Sequence, residues 1–269
     1  MLPLFIEPND LQSLLEQAPS ELIIVDLGSE ARFHSEHIPG AVLVTPAQTQ
    51  SSPPVPGFIP SDELLTHLMR SIGLTKNSHV VVYDDEGGGW AGRFIWMLDE
   101  IGHTQYSYLN GGLIAWIGDG LALESGMPSI SPSEITVKTN AQHTITCDTL
   151  CERLSQEDIQ VWDARSPMEY SGATQYAQRG GHIPNAANYE WTRAMDPQNH
   201  YRLKPLPQLK SELAAIGISA DKEIVTHCQS HHRSGLTYLI AKLLDFPNIK
   251  AYSGSWGEWG NRQDTPIVS

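Results

Sequence analysis

The chain has 269 residues, enough for one large domain or two of ordinary size. Its 40% hydrophobic and 18% charged content is that of a folded globular protein, and its apolar runs (LIIV at 22–25, VVV at 80–82) fall far below the ~20 residues of a membrane span. A net charge of −14 argues against nucleic acid or an anionic membrane as partner, so any anion handled here must be held by a local field.

In chain order, MLPLFIEPND lacks the basic segment and apolar stretch of a secretory signal. DLQSLLEQ (10–17) predicts a helix and LIIVDLG (22–28) a buried strand. An irregular stretch containing HIPGA (37–41) follows. SDELLTHLMRSIG (61–73) predicts a helix, HVVVYD (79–84) a strand, and the loop after it leads into a helix over RFIWMLDEIG (93–102). SYLNGG (107–112) closes the set as a short strand and glycine turn. SGMPSISPSEITVKTNAQ (125–142) is rich in Ser, Pro and Thr and reads as a surface linker.

The same grammar then recurs. TLCERLSQ (149–156) predicts a helix and IQVWDAR (159–165) a strand. HIPNA (182–186) marks the irregular stretch, LPQLKSELAAIG (206–217) the next helix and EIVTHC (223–228) the next strand. GLTYLIAKLLD (235–245) predicts the last long helix and KAYSGS (250–255) the final strand and turn. Four blocks align in order. LIIVDLGSEARF matches IQVWDARSPMEY at +137, pairing Asp26 with Asp163, and HIPGA matches HIPNA at +145. SIGLTKNSHVVVYD matches AIGISADKEIVTHC at +144, and LNGGLIAW matches YSGSWGEW at +143, pairing Trp116 with Trp259. The shift from +137 to +145 is an eight-residue insertion within SGATQYAQRGG (171–181). The chain therefore reads as two copies of one fold, with expected domains at 1–124 and 143–269 joined by the linker at 125–142. Alternating strands and helices predict an α/β fold, each copy a mainly parallel central sheet with helices on both faces and ligands at the carboxyl ends of strands.

The cysteines are Cys147, Cys151 and Cys228, a number that gives no disulfide framework and fits a reducing compartment, hence an expected cytoplasmic location. His143, Cys147 and Cys151 are spaced to share a helix face, but no fourth ligand accompanies them. TCDTLCERL reads instead as a helix start, with Thr146 or Asp148 near the cap and Leu150, Cys151 and Leu154 packing inward.

THCQSHHRSG (226–235) carries the chemistry. A loop between a strand and a helix N-terminus turns several backbone N–H groups toward one point, where the helix dipole adds positive potential. A cysteine placed there has its pKa drawn from ~8.5 into the ~3.5–7.5 range of activated thiols. Arg233 adds a permanent charge and forked donors for an oxyanion. Gln229, Ser230, His231, His232 and Ser234 complete the polar lining. The first-half equivalent of Cys228 is Asp84, in YDDEGGGWAGR, a loop read as one residue longer, acidic and repellent to an anion. Cysteine phosphatases and arsenate reductases use a similar loop, with five residues between Cys and Arg. Here four residues, QSHH, separate Cys228 from Arg233. The tighter ring favours a single added sulfur, a persulfide, over a phosphocysteine.

With Asp-Ala-Arg and Glu-Tyr at 163–170, Gly-His-Ile-Pro-Asn-Ala at 181–186, the loop CQSHHR and the closing SGSWGEW at 253–259, the chain resembles the tandem-domain rhodaneses, whose first domain lacks the thiol. CQSHHRS is similar to a bacterial subset of them. The resemblance implies a sulfurtransferase with Cys228 as nucleophile, moving sulfane sulfur from a small anionic donor to cyanide or a thiol, with neither metal nor organic cofactor. Gln229, Ser230, His231, His232, Arg233 and Ser234 are the expected substrate-binding residues. Arg233 favours thiosulfate as donor; 3-mercaptopyruvate, or a persulfide-carrier role toward a protein acceptor, is the alternative. Arg179, just before GGHIP, is a candidate to pair with the donor's sulfonate, Trp191 and Trp256 are candidates to line the site, and Asp163 and Arg165 are expected to form a structural pair.

Overall fold

β-branched runs and amphipathic stretches alternate along the whole chain, and each series builds a parallel sheet. A computed structural model of the chain describes every residue except Met1, Ala18, Ser20 and Glu157. The first series is β1 (Phe5–Ile6), α1 (Pro8–Leu15), β2 (Leu22–Asp26), α2 (Glu30–Ser35), β3 (Ala41–Leu43), α3 (Asp62–Ser71), β4 (His79–Tyr83), α4 (Gly89–Glu100), β5 (Tyr106–Leu109) and α5 (Gly112–Gly118). The second is α6 (Cys147–Arg153), β6 (Ile159–Asp163), α7 (Pro167–Tyr170), β7 (Ala187–Asn188), β8 (Met195–Asp196), β9 (Arg202–Leu203), α8 (Leu206–Ala214), β10 (Glu223–His227), α9 (Arg233–Leu243), β11 (Ile249–Ala251) and α10 (Ser255–Trp259).

The chain forms two compact units. One comprises Met1–Gln50, Pro60–Asn140 and Met195–Leu203, the other Ser51–Ile59, Ala141–Ala194 and Lys204–Ser269. In the first unit five parallel strands run in the order β1-β5-β4-β2-β3. Ile24, Val81 and Tyr83 turn one face of this sheet to Leu11 of α1, Phe33 of α2, and Leu113 and Trp116 of α5. The almost wholly buried α4 packs on β4 and β5. The stretch at 125–140 has little regular structure. It is tied to α3 by Arg70, whose Nε donates to the Ile135 carbonyl at 2.6 Å, and by Thr139, which donates twice to Asp62.

In the second unit the strands run β11-β10-β6-β7, again all parallel. Thr144 makes one parallel bridge to Ala251, in the place that β1 takes beside β5. Val161, Val225 and Tyr252 pack on Cys147 and Leu150 of α6 and on Trp256 and Trp259 of α10, while α9 covers β10 and β11. Thr146 caps α6, as the sequence indicates, accepting from the Thr149 N–H at 3.2 Å.

Periodicity did not disclose α2 and α7. Each is too short for a hydrophobic stripe, and each follows the Asp that ends a strand, with Ser29 or Ser166 as its cap. Residues 51–59 and 195–203 likewise carry no periodic signal, and each packs with the unit built mainly from the other half of the chain. Gly57 shows why the first of these segments is tight: a Cβ there would collide with the Ser253 carbonyl oxygen and lie 3.2 Å from Cα of Ser230.

Candidate active site

β10 ends at His227, and the turn that begins with Cys228 leads into α9 at Arg233. The turn is clamped to the start of α10. The Cys228 N–H donates to Ser255 Oγ at 3.2 Å, the Cys228 carbonyl accepts from the Trp256 N–H at 2.9 Å, and the Gln229 carbonyl accepts from the Gly257 N–H at 2.8 Å. His231 sits in the left-handed region, at φ +57°, a conformation a non-glycine residue holds only where its surroundings impose it. Its buried ring places Nδ1 2.8 Å from Ser234 Oγ. With Nδ1 donating, the Ser234 hydroxyl is left to donate to the Cys228 sulfur, 3.4 Å away.

Cys228 is 1% exposed. Burial alone would push its thiol up. The charge of Arg233 and the hydrogen bonds from Ser234 act against burial, with help from His232, and bring the pKa down to about 7. At Cys147 burial outweighs the opposing hydrogen bond of Tyr252 and pushes the thiol up to about 12, and burial raises Cys151 as well. Alkylation of Cys228 by iodoacetamide is therefore expected to climb about tenfold per unit below pH 7 and to level off above it, because the thiolate reacts and the thiol does not. Peptide mapping across the pH series checks this, with Cys147 expected to stay unmodified. A midpoint at the ~8.5 of a free thiol would remove the activated thiolate.

The turn stands on a layer of buried charge. Arg165 donates from Nε and Nη2 to both oxygens of Asp163, at 3.0 and 2.6 Å, and from Nη2 to the Gly181 carbonyl at 2.9 Å, while its guanidinium lies 4.2 Å above the Trp256 ring. Asp163 and Arg165 form the pair expected of them. His227 Nε2 is 3.5 Å from Asp163 Oδ2. Burial, together with Arg165 and Arg233, pulls its pKa down to about 4 despite Asp163, so the imidazole is neutral at pH 7.

The remaining expected residues divide. Gln229 Nε2 reaches the Tyr176 carbonyl at 3.2 Å, tying the turn to the second-half insertion. Ser230 abuts Gly57, and His232 meets the Trp191 ring edge-on at 5.5 Å. The fork of Arg233 closes on Glu169, Nη1 to Oε2 at 2.6 Å and Nη2 to Oε1 at 2.8 Å. Arg179 requires a correction. Its guanidinium donates to the backbone carbonyls of Trp259, Arg262 and Thr265 and to the Thr265 hydroxyl, so it pins the insertion to the C-terminal segment and is committed there rather than to a sulfonate. Trp256 is buried beneath Arg165, its Nε1 donating to the Arg179 carbonyl at 3.1 Å. Glu169 is not among the residues the sequence singles out for the site. The Ser-x-x-Glu spacing at 166–169 was the available signal that its carboxylate is held in a fixed place.

The first unit repeats the turn in altered form. Asp84 Oδ1 accepts from the N–H groups of Glu86, Gly87 and Gly88 at 3.2, 3.0 and 2.8 Å, and Oδ2 from Ala91 at 3.0 Å. Two expectations change. α4 begins five residues after Asp84 and α9 five residues after Cys228, so the first-half turn is not longer. Nor does it merely repel anions: its amides converge, and the protein's own carboxylate fills the place. Burial and Glu86 push that carboxyl up to about 6 against the four amides. The Asp–Arg pair is conserved in space but not in sequence position. Asp26 pairs with Arg32 of α2, Nη1 to Oδ2 at 2.7 Å, and Gly28, aligned with Arg165, leaves the room Arg32 occupies.

Among the described residues no group of three or more His, Cys, Asp or Glu side chains is placed to hold a metal ion, and no helix is long and apolar enough to cross a membrane. His143 lies edge-on to Tyr238, with 6.5 Å between ring centroids.

The family model described as "Rhodanese-like domain" matches this chain twice, at residues 7–119 and 146–262. A thiosulfate sulfurtransferase of Azotobacter vinelandii is 52% identical over 267 residues, covering 99% of this chain and 97% of that protein. A thiosulfate sulfurtransferase of Pseudomonas aeruginosa is 50% identical over the same length, with the same coverage. The crystal structure of the 3-mercaptopyruvate sulfotransferase SseA from Escherichia coli superposes with a TM-score of 0.83 at 28% identity, covering 95% of this chain and 99% of that one.

Proposed function

The chain belongs to the rhodanese family, and from that premise we propose that it is a thiosulfate sulfurtransferase in which Cys228 carries the sulfur as a persulfide. The observation that carries this reading is a thiol lowered to about 7 inside a turn of four residues between Cys and Arg, in a chain whose other two thiols are raised. In the first half-reaction the Cys228 thiolate attacks the outer sulfur of thiosulfate. A new S–S bond forms, the donor's S–S bond breaks, and its electron pair leaves with sulfite. In the second, cyanide or a thiolate attacks the outer sulfur of the persulfide and the Cys228 thiolate is released. This is covalent, two-step catalysis in which no net oxidant is consumed.

The chain's own groups supply what each step needs. Arg233 and the Ser234 hydrogen bonds stabilise the negative sulfur before attack and again on its release. The clamp to α10 keeps the turn from spreading when the extra sulfur arrives. The Asp84 turn supports this picture, since the amides of the same scaffold close around a carboxyl group when one is built in. A cytoplasmic location fits three cysteines, none of them in a disulfide.

Incubation with thiosulfate is expected to add the mass of one sulfur atom to the intact protein, and cyanide is expected to remove it as thiocyanate. The kcat/KM for thiosulfate is expected to exceed that for 3-mercaptopyruvate by about tenfold or more, a difference of ~1.4 kcal/mol at the transition state. Loading from 3-mercaptopyruvate alone would transfer the reading to the second donor class, that of the Escherichia coli relative. No sulfur adduct, with turnover of an aryl phosphate, would replace it by phosphatase chemistry.

A further inference from the structure

Glu169 and Arg233 are 64 residues apart in sequence and share two hydrogen bonds, at 2.6 and 2.8 Å. The carboxylate is fixed from behind as well: Oε2 also accepts from the N–H and the hydroxyl of Ser166, at 3.2 and 2.9 Å, in the capping box of α7. Glu169 is 4% exposed. Burial opposes its ionisation, but the bonds and charge of Arg233 and the bonds from Ser166 outweigh burial and hold the carboxyl below its ordinary value. A guanidinium whose two prongs both end on a buried carboxylate has lost the forked face that would grip a donor's oxygens. It has not lost its field, and it remains the foremost charge drawing down the Cys228 thiol.

We propose that Glu169 is a positioning residue: it withholds the Arg233 fork from the oxyanion end of the sulfur donor and leaves that cation to act on the Cys228 sulfur through its field alone. The inference rests on Cys228 as the sulfur carrier. It separates two tasks that one arginine could perform, gripping the donor and stabilising the thiolate, and assigns the second to Arg233. The arrangement has a kinetic meaning. Sulfite presents the same oxyanion face as thiosulfate, so a free fork would retain the product as firmly as the substrate. The other groups around the sulfur are Ser234 on α9, His231 and His232 in the turn, His227 on β10, and Asp163 with Arg165 beneath.

Glu169→Gln tests this in the full chain, because glutamine at the same place preserves the capping box while removing the charge. The KM for thiosulfate is expected to fall about tenfold, the size of one hydrogen bond to a charged group, and inhibition by sulfite is expected to tighten by a similar factor. The pH midpoint of Cys228 alkylation, read without any sulfur donor, is expected to move down by about one unit, since an opposing negative charge has left the site. Ser166→Ala breaks the cap but keeps the charge, and is expected to lower the melting temperature while leaving that midpoint and the sulfite inhibition near wild type. Glu169→Asp keeps the charge but shortens the reach, and is expected to hold the midpoint while the KM falls. Unchanged KM, sulfite inhibition and midpoint in Glu169→Gln, or the same changes in Ser166→Ala, would reduce Glu169 to a helix cap and overturn the proposal. Because alkylation needs no donor, failure of thiosulfate to load the protein would count against the proposed activity alone.

Discussion

Cys228→Ser is expected to abolish both sulfur loading and thiocyanate formation, with a loss of turnover of at least about 10³-fold, or ~4 kcal/mol at the transition state. Serine keeps the size of the side chain and its place beside Ser234 Oγ, so the turn, its clamp to Ser255 and Trp256, and the fold are retained. Only the proposed nucleophile goes, because a hydroxyl is not ionised near pH 7 by a field that brings a thiol just to that point. Intact mass before and after thiosulfate reads the loading, and thiocyanate reads the turnover. Cys151→Ser, on α6, is expected to load and turn over as the parent does. Residual loading of Cys228→Ser above one tenth of wild type would place the carrier sulfur elsewhere in the chain.

The second large effect is on stability. Arg165→Met is expected to cost about 3–5 kcal/mol, since it leaves Asp163 charged, wholly buried and without its main partner. It also removes the cation from the face of Trp256 and the donor from the Gly181 carbonyl. For a unit of this size that corresponds to a fall in melting temperature of about 10 °C or more. Neutralising the partner as well, in Asp163→Asn with Arg165→Met, is expected to recover a good part of the loss, because the unpaired charge is the larger share of the penalty. Differential scanning calorimetry of the two variants decides it. A single variant that melts within about 2 °C of wild type, or a double variant less stable than the single, would mean that the pair is not what holds this layer together.

Much of the architecture was readable because it depends on short-range signals. Val, Ile and Leu runs of strand length, amphipathic stretches of helical length, and the in-order match of two halves indicated two parallel α/β sheets, and β10, Cys228 and α9 follow one another as EIVTHCQSHHRSGL indicates. The Asp163–Arg165 pair was readable for the same reason, its members being two residues apart. The Arg179 expectation failed because sequence shows that an arginine precedes GGHIP but not which way its side chain turns. Four hydrogen-bond acceptors of the C-terminal segment are gathered there only by the fold. The first-half turn was misjudged from composition: three acidic side chains, Asp84, Asp85 and Glu86, suggested repulsion, whereas its backbone amides bind Asp84.

Local chemistry thus settled where the candidate nucleophile lies, which copy carries that thiol, and that a cation lies five positions on. Direction was beyond it. Whether Arg233 faces a ligand or a carboxylate depends on Glu169, which α7 brings up from 64 residues away, and whether the turn is covered by Gly57 depends on a segment from the other half of the chain. Such pairings arise from packing between elements remote in sequence. A single sequence records the residues that make these contacts, but a partner is chosen only when the burial of whole faces has set the distances.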